Sequence, residues 1–272
     1  MGGVKLYDMS MREVSLRGVK WLEFTPDPPT AEETTEKVYN GDIPMGKTRN
    51  SRLIQAKLWY KAYDVLDYKL LRDELFSFLS PFQEFYVVDE DVPGKRWKVS
   101  VRDIQPERIN RTTAEVAVVF YCPRGLSESI AMTMDGIDTV YGDWASGMGL
   151  ESDVGTQDYT HSSDFFGIHN AGNVMVDPRE SELSIRIDAN NGGSGKLTVR
   201  NMSTSEEWIY TGPLNAGDTI TIDRMESKRN YSNIVGQTNL NLISLVPGQN
   251  AFLLSGINQG FEISFNFRYL YE

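Results

Sequence analysis

The sequence predicts a mainly β protein of two domains: an α+β first domain with one helix, and a second domain built as a β-sandwich. Three observations lead there. Most apolar segments alternate with the two-residue period of half-buried strands, a single window carries a helical period, and 23 Gly and 11 Pro punctuate the chain as turns. At 272 residues the chain exceeds the roughly 150 expected of one domain, so each half can bury a core.

Val14 to Phe24 mixes β-branched and aromatic residues and reads as a strand that exits at Thr25-Pro26-Asp27-Pro28-Pro29, where prolines remove ladder donors. The polar stretch from Pro26 to Arg52 is longer than the roughly 12 to 15 residues of a plain loop. Within it, Asn40-Gly41 between Val38-Tyr39 and Asp42-Ile43 suits a tight turn, so an extended hairpin arm is expected. Leu53 to Tyr63 reads as a strand, and Asp64 then caps a helix with Asp67 in its first turn. Tyr68, Leu71, Leu75 and Phe78 share the face of that helix turned to the core, and Pro81 ends it. Phe85–Asp89, Arg96–Val101 and Ala114–Tyr121 read as three further strands.

From Cys122 to about Phe165 the pattern weakens around Gly136, Gly142, Gly147, Gly149 and Gly155, and the domain boundary is placed there. The predicted division is 1–125, a connector at 126–164, and 165–272, with an arm at about 26–52. The second half reads as strand and turn: LSIRID from Leu183 to Asp188, a hairpin tip at Asn190-Asn191-Gly192-Gly193, then KLTVRN, EEWIYT, DTITID and a closing FEISFNFRYLY. Asn215-Ala216-Gly217-Asp218 and Pro247-Gly248-Gln249-Asn250 read as turns between strands, and the spacing suggests a sandwich. The last strand, Phe261 to Tyr271, belongs either to the second domain or back with the first. No internal repeat is evident.

With 27 basic and 38 acidic residues the net charge is −11, which opposes the phosphate attraction that nucleic-acid binding requires. Sequence-specific nucleic-acid binding is not expected. The amino-terminal residues interrupt their apolar positions with Lys5, Asp8, Arg12 and Glu13, so neither an export signal nor membrane insertion is expected. One cysteine, Cys122, cannot close an intrachain disulfide, which fits folding in a reducing cytosol.

Candidate chemistry is sparse. His161 and His169 are the only histidines, both in or beside the connector, so neither a metal site nor a histidine-based catalytic site is predicted. Cys122 follows a strand and reads as a buried apolar group. Asp89-Glu90-Asp91 and Glu206-Glu207 are acidic neighbours of the kind a glycosidase needs, but 38 carboxylates make such neighbours unavoidable, and solvated turns or strand ends explain them. Asp188-Ala189-Asn190-Asn191-Gly192 resembles a calcium loop only weakly, because Gly192 stands where a third ligand belongs. Gly147-Met148-Gly149 lacks the strand and helix that would aim amides at a phosphate. The sequons at Asn110, Asn201 and Asn230 read as turn residues. No catalytic, cofactor-binding or metal residue is assigned, and no cofactor. Ample core, a polar arm and no convergent catalytic groups point to a protein that holds other proteins.

At this point the chain resembles the distal tail family of siphophages. The resemblance is carried by SRLIQAKLWYKAYDVLDYKLLRDELFSFLSPFQEFYVVDE followed by GKRWKVSV, then by FGIHNAGNVMVDPRESELSIRI, TVRNMSTSEEWIYTGPLNAGDTITID and LVPGQNAFLLSG in that order. It implies a first domain that forms a hexameric ring, with each arm reaching a neighbour, and a galectin-like second sandwich. It implies a structural part of the virion, at the tail tip or baseplate, assembled in the host cytoplasm. The implied partners are the tail tube and tape-measure proteins above, and the tail-associated lysin or receptor-binding proteins below. On this reading the chain is not an enzyme. A net negative ring lumen, repelling DNA, would account for the acidity. The alternative is a carbohydrate-binding module acting as host adhesin, favoured if Trp208 and Tyr210 line an exposed groove. A tail-associated hydrolase is a third reading and needs two carboxylates held together in a cleft.

Overall fold

The computed structural model describes residues 3–135, 148, 158–193 and 195–272. The Gly136–Gly155 glycines of the expected connector, including Gly147 and Gly149, lie outside the described residues. The chain forms two compact units, residues 1–127 with Glu272, and residues 128–271. Most of the described chain is strand, as expected of a mainly β protein.

The first unit runs β1 (Val4–Tyr7), β2 (Glu13–Val14), β3 (Val19–Pro26), β4 (Ala31–Val38), β5 (Gly41–Arg49), β6 (Arg52–Lys61), α1 (Val65–Phe78), β7 (Glu84–Asp89), β8 (Lys95–Arg108) and β9 (Thr113–Cys122). Its main antiparallel sheet has the order β2-β1-β7-β8-β9-β6-β3. The ladder between β6 and β9 pairs ten residues, from Arg52 with Cys122 to Lys61 with Thr113. Along it Ile54, Ala56, Leu58 and Tyr60 face inward opposite Phe120, Val118, Val116 and Ala114, all buried. Strict alternation locks this register, because a one-residue slip would turn every apolar side chain to water.

The helix follows the sequence expectation closely. Asp64 caps it, accepting from the amides of Leu66 and Asp67 at 2.8 Å, and Asp67 reaches back to accept from Tyr63 N at 2.8 Å. This reciprocal pair satisfies amides that the first turn leaves without partners. Tyr68, Leu71 and Leu75 are buried, and Phe78 is half-buried. Tyr68 packs on Tyr60 with ring centroids 5.4 Å apart, and Phe78 on Phe85 at 5.2 Å.

Three elements of this unit differ from expectation. The strand expected over Val14–Phe24 is broken into β2 and β3 by the turn at Gly18, whose φ is +68°. β8 extends seven residues past Val101, through Arg102-Asp103-Ile104-Gln105-Pro106-Glu107-Arg108, after a bulge between Val101 and Asp103. That polar, proline-containing run reads locally as a loop, but the continuous edge of β9 carries it on as a ladder. β1 was not anticipated; it is a four-residue strand whose Val4 and Leu6 enter the core.

After β10 (Ser127–Ser129), the second unit contains β11 (Thr160–His161), β12 (Phe165–Asn170), β13 (Leu183–Ala189), β14 (Leu197–Asn201), β15 (Glu206–Tyr210), β16 (Asp218–Asp223), β17 (Glu226–Arg229), β18 (Ser232–Asn233), β19 (Gly248–Ser255), β20 (Glu262–Phe267) and β21 (Leu270–Tyr271). Ten of them, β11 to β20, form a six-stranded sheet, β11-β20-β13-β16-β17-β18, and a four-stranded sheet, β12-β19-β14-β15, while β21 pairs with β10. The two sheets pack face to face through Phe252 on Phe265, 4.8 Å between centroids, and Phe166 on Phe265 at 5.9 Å. The expected β-sandwich is therefore present.

Its topology corrects two local readings. Asn190–Gly193 is not a hairpin tip, because β13 pairs with β16 and β20 whereas β14 pairs with β15 and β19, so the chain crosses there from one sheet to the other. Turn residues report that the chain reverses; they do not say which strand it will meet. Of Pro247-Gly248-Gln249-Asn250, only Gly248 has the left-handed φ of a turn, +83°, and Gln249 and Asn250 are already within β19. Asn215–Asp218 is a turn as expected, closed by Asp218 N donating to Asn215 O at 3.1 Å.

Three fully buried asparagines hold the long segment after β18 onto the four-stranded sheet. Asn250 Nδ2 donates to the carbonyls of Val246 at 2.8 Å and Gly248 at 3.1 Å, and its Oδ1 accepts from Val246 N at 3.0 Å. Asn201 Nδ2 donates to Ser244 O at 2.8 Å and Asn170 Nδ2 to Leu245 O at 3.1 Å. At the sheet edge Asn239 stands in for a missing strand: its Oδ1 accepts from Ile209 N at 3.0 Å and its Nδ2 donates to Glu207 O at 2.8 Å. Blocking an edge in this way prevents it from templating a foreign strand. The closing segment is tied to residues 129–133: Ser129 N donates to Tyr269 O at 2.9 Å, Thr133 Oγ1 to Phe265 O at 2.8 Å, and Arg268 Nη1 to the carbonyls of Ser129 and Ile130. Leu270 and Tyr271 belong to the second unit, whereas Glu272 groups with the first, where it pairs with Arg49 at 2.8 Å.

Replacing Asn250 with Ala leaves buried backbone groups without partners, so it is expected to cost about 3 kcal/mol in urea unfolding. The exposed Asn241→Ala should stay within about 0.5 kcal/mol of the parent.

Candidate assembly interface

The arm is a two-stranded hairpin whose root is fixed by the main sheet. Pairing of β3 with β6 runs to Pro26 opposite Ile54; Asp27 N then donates to Leu53 O at 2.9 Å and Asn50 N to Thr30 O at 3.0 Å. β4 and β5 continue outward from there, pairing Ala31 with Arg49 through to Val38 with Gly41. The two-residue tip is therefore Tyr39-Asn40, one position before the expected Asn-Gly turn, and Gly41, with φ +121°, opens the return strand. Every residue of β4 and nearly all of β5 is exposed on both faces. An isolated two-stranded hairpin is marginal in water, so this arm lacks the packing that stabilises the rest of its unit.

The helix presents charge and apolar surface side by side. Arg17 pairs with Asp67 at 2.7 Å, tying the turn before β3 to the first helical turn. The Tyr63 amide, then the Arg17 guanidinium, hold the Asp67 carboxyl below the usual carboxylate range.

The residues considered for chemistry are engaged structurally. His161 stacks on Phe166, 4.7 Å between rings at 17°, and His169 sits in β12, where its carbonyl accepts from Tyr159 Oη at 3.1 Å. Cys122 is buried at the end of β9, its Sγ donates to Leu126 O at 3.5 Å, and burial pushes the thiol up. Asp89 accepts from Asp91 N at 3.0 Å within a turn, and Glu90 accepts from Gly3 N at 2.7 Å. Glu206 is bound by Ser244 N and Oγ, both at 2.7 Å, and by Thr204 Oγ1 at 2.9 Å. Asp188 pairs with Arg186 at 2.8 Å and accepts from Thr219 at 2.6 Å, while Asn190 and Asn191 donate to Gly260 O and Gln259 O. Among the described residues no group of three or more His, Cys, Asp or Glu could hold a metal ion. Among them too, no helix is long and apolar enough to cross a membrane. Asn110 and Asn230 stand in turns, but Asn201 is wholly buried in the asparagine network.

Trp208 and Tyr210 stack 6.4 Å apart inside the sandwich, 2% and 0% exposed. Buried to that extent, neither ring offers an exposed aromatic face, and the observation that would have favoured a glycan-binding adhesin is not met.

Charge is divided unequally. Residues 1–127 contain 19 basic and 19 acidic residues, so the whole excess lies in residues 128–272, with 8 basic and 19 acidic. An acidic lumen formed by the first unit therefore does not account for the acidity of the chain.

Residues 16–122 match the model of the phage tail protein RIFT-related domain. Over those residues the first unit is similar to phage tail proteins. No curated protein matches the chain. Among solved structures, the SPP1 Dit (gp 19.1) protein, described as a paradigm of hub adsorption apparatus in phages infecting Gram-positive hosts, matches with a TM-score of 0.71 at 11% identity, covering 100% of both chains. A component of the phage P2 baseplate in its activated conformation covers 99% of this chain at 9% identity, with a TM-score of only 0.45. The whole chain thus has the fold of the SPP1 Dit protein, and the resemblance seen in the sequence holds.

A cluster of buried tyrosines gives the second unit an alkaline limit. Tyr159 Oη and Tyr269 Oη share a short hydrogen bond, and Tyr271 Oη donates to Met148 O at 2.8 Å. Burial pushes Tyr159 up to about 12 and raises Tyr269 and Tyr271 further. Between the ordinary tyrosine value of about 10 and the folded value, only the unfolded chain gives up its proton, so stability present below about pH 10 falls as pH rises. The urea midpoint should drop steadily from pH 9.5 to 11.5, and Tyr159→Phe should make that slope shallower whatever its effect at neutral pH.

Proposed function

We propose that this chain is a structural hub of the phage tail tip, in which the first unit forms a hexameric ring and each arm reaches a neighbouring copy. The ring joins the tail tube and tape-measure proteins on one side to the tail-associated lysin or receptor-binding proteins on the other. In this reading residues 1–125 form the ring, 126–164 connect, and 165–272 are a galectin-like sandwich turned toward the tip proteins. The protein acts by holding partners rather than by turnover, resides in the virion, and is assembled in the host cytoplasm.

The observation that carries this reading is the arm. A phage tail domain projects a hairpin of β4 and β5 that is exposed on both faces and rooted rigidly at Thr30 and Asn50. Such a hairpin gains its order by binding another surface, and the ordering cost is met when the assembly forms. Repetition of one heterologous contact, arm to neighbour, closes a ring where the rotation per subunit allows it.

Light scattering on the purified chain across concentration is expected to give six times the 30.8 kDa subunit mass. Deleting residues 30–48 should return it to monomer with both units still folded by circular dichroism. Hexamers that survive the deletion would remove the arm from the assembly mechanism, and a parent monomeric at every concentration would count against self-assembly into a ring.

A further inference from the structure

Among the exposed apolar residues of the first unit, two groups lie on regular elements. One lies on the arm, where Val38 and Ile43 share a face with Glu36 directly opposite Ile43, and Tyr39 stands free at the tip. The other is the outer side of α1. Leu66 and Leu70 stand one turn apart, 68% and 60% exposed, on the side opposite the buried Tyr68, Leu71 and Leu75, and Tyr63 at the helix entrance is 93% exposed. The outer side of a surface helix is ordinarily polar, since leucines there contribute nothing to the core.

We infer that the arm of one copy lies across the outer side of α1 of the next copy, Val38 and Ile43 against Leu66 and Leu70. The inference rests on the ring reading above and names the surface that receives the arm. Charge supports the pairing. Glu36 stands among the apolar residues of the arm and Lys69 beside the two leucines of the helix, and neither makes an ion pair among the described residues. Docking brings these opposite charges to the centre of one contact. Because the two patches differ, the contact is heterologous: each copy offers its arm to one neighbour and its helix to the other, which is the requirement for a ring rather than a two-fold dimer.

The competing receptor is a cleft of about 160 Å³ between β1, β2 and β3, lined by Val4, Leu6, Val14 and Trp21. Glu13 and Glu90 stand at this cleft against a single lysine, Lys5. The arm from residue 30 to 48 carries Glu32, Glu33, Glu36 and Asp42 against Lys37 and Lys47, so it meets like charge there.

The test uses the full chain. Ile43→Cys and Leu66→Cys, made in separate chains and mixed before assembly, should give a disulfide-linked dimer on non-reducing gels, whereas the parent, whose Cys122 is buried, should give none. Glu36→Lys and Lys69→Glu should each weaken assembly about tenfold, and the two together should restore it. A hexamer that forms no such cross-link and tolerates Leu66→Asp with Leu70→Asp would overturn this interface while leaving the ring intact. A cross-link from Ile43→Cys to Trp21→Cys in its place would move the arm to the cleft and overturn it equally. A parent that stays monomeric would sink the ring itself and the interface with it.

Discussion

The ladder between β6 and β9 is the constraint on which the first unit depends. Ten paired residues bury one continuous apolar face, and β6 is held on its other edge by β3. Because the arm leaves the sheet between these two strands, its direction is set by their register rather than by its own sequence. The same strand leads through Ala62 and Tyr63 into the cap at Asp64, so β6 also places the helix. A slip of one residue in this ladder would expose the core, swing the arm and displace α1 together.

The second unit is stabilised differently. Its aromatic layer, Phe166, Phe252 and Phe265, joins the two sheets, but the long segment from Thr238 to Pro247 has little regular structure to satisfy its backbone. Asn170, Asn201, Asn239 and Asn250 supply those hydrogen bonds from side chains, each presenting a donor and an acceptor from one amide. Buried polar networks of this kind stabilise only when nearly complete, and this one fixes the segment in a single position. The acidic excess of the whole chain falls on this half, so its net charge differs from that of the neutral first unit.

The chemistry considered at the outset dissolves into structure once the partners are visible. Glu206 is a backbone anchor, Asp188 a strand ion pair and Trp208 a core residue, and each side chain is occupied by the fold that contains it. Apolar surface on the arm and on α1 stays unoccupied. These residues attract no notice in sequence, because Val38, Ile43, Leu66 and Leu70 look like ordinary core residues until their exposure is known. A leucine's identity does not reveal which side of a helix meets the core when both sides carry one.

The sequence alone determined the mainly β class, the single helix with its Asp64 cap, the hairpin arm and most strands of both units. Each of these follows from local rules: alternation, a cap geometry, turn residues and proline placement act over a few neighbours and are written in the order of the residues. Only the tertiary structure decided that β13 and β14 lie in different sheets, that β8 continues through Pro106, that Asn250 anchors a loop from within a strand, and that Trp208 is buried while Leu66 is not. Those outcomes turn on which distant strand offers a free edge or an apolar face. That choice is made by the packing of the whole unit, and no short window of sequence contains it.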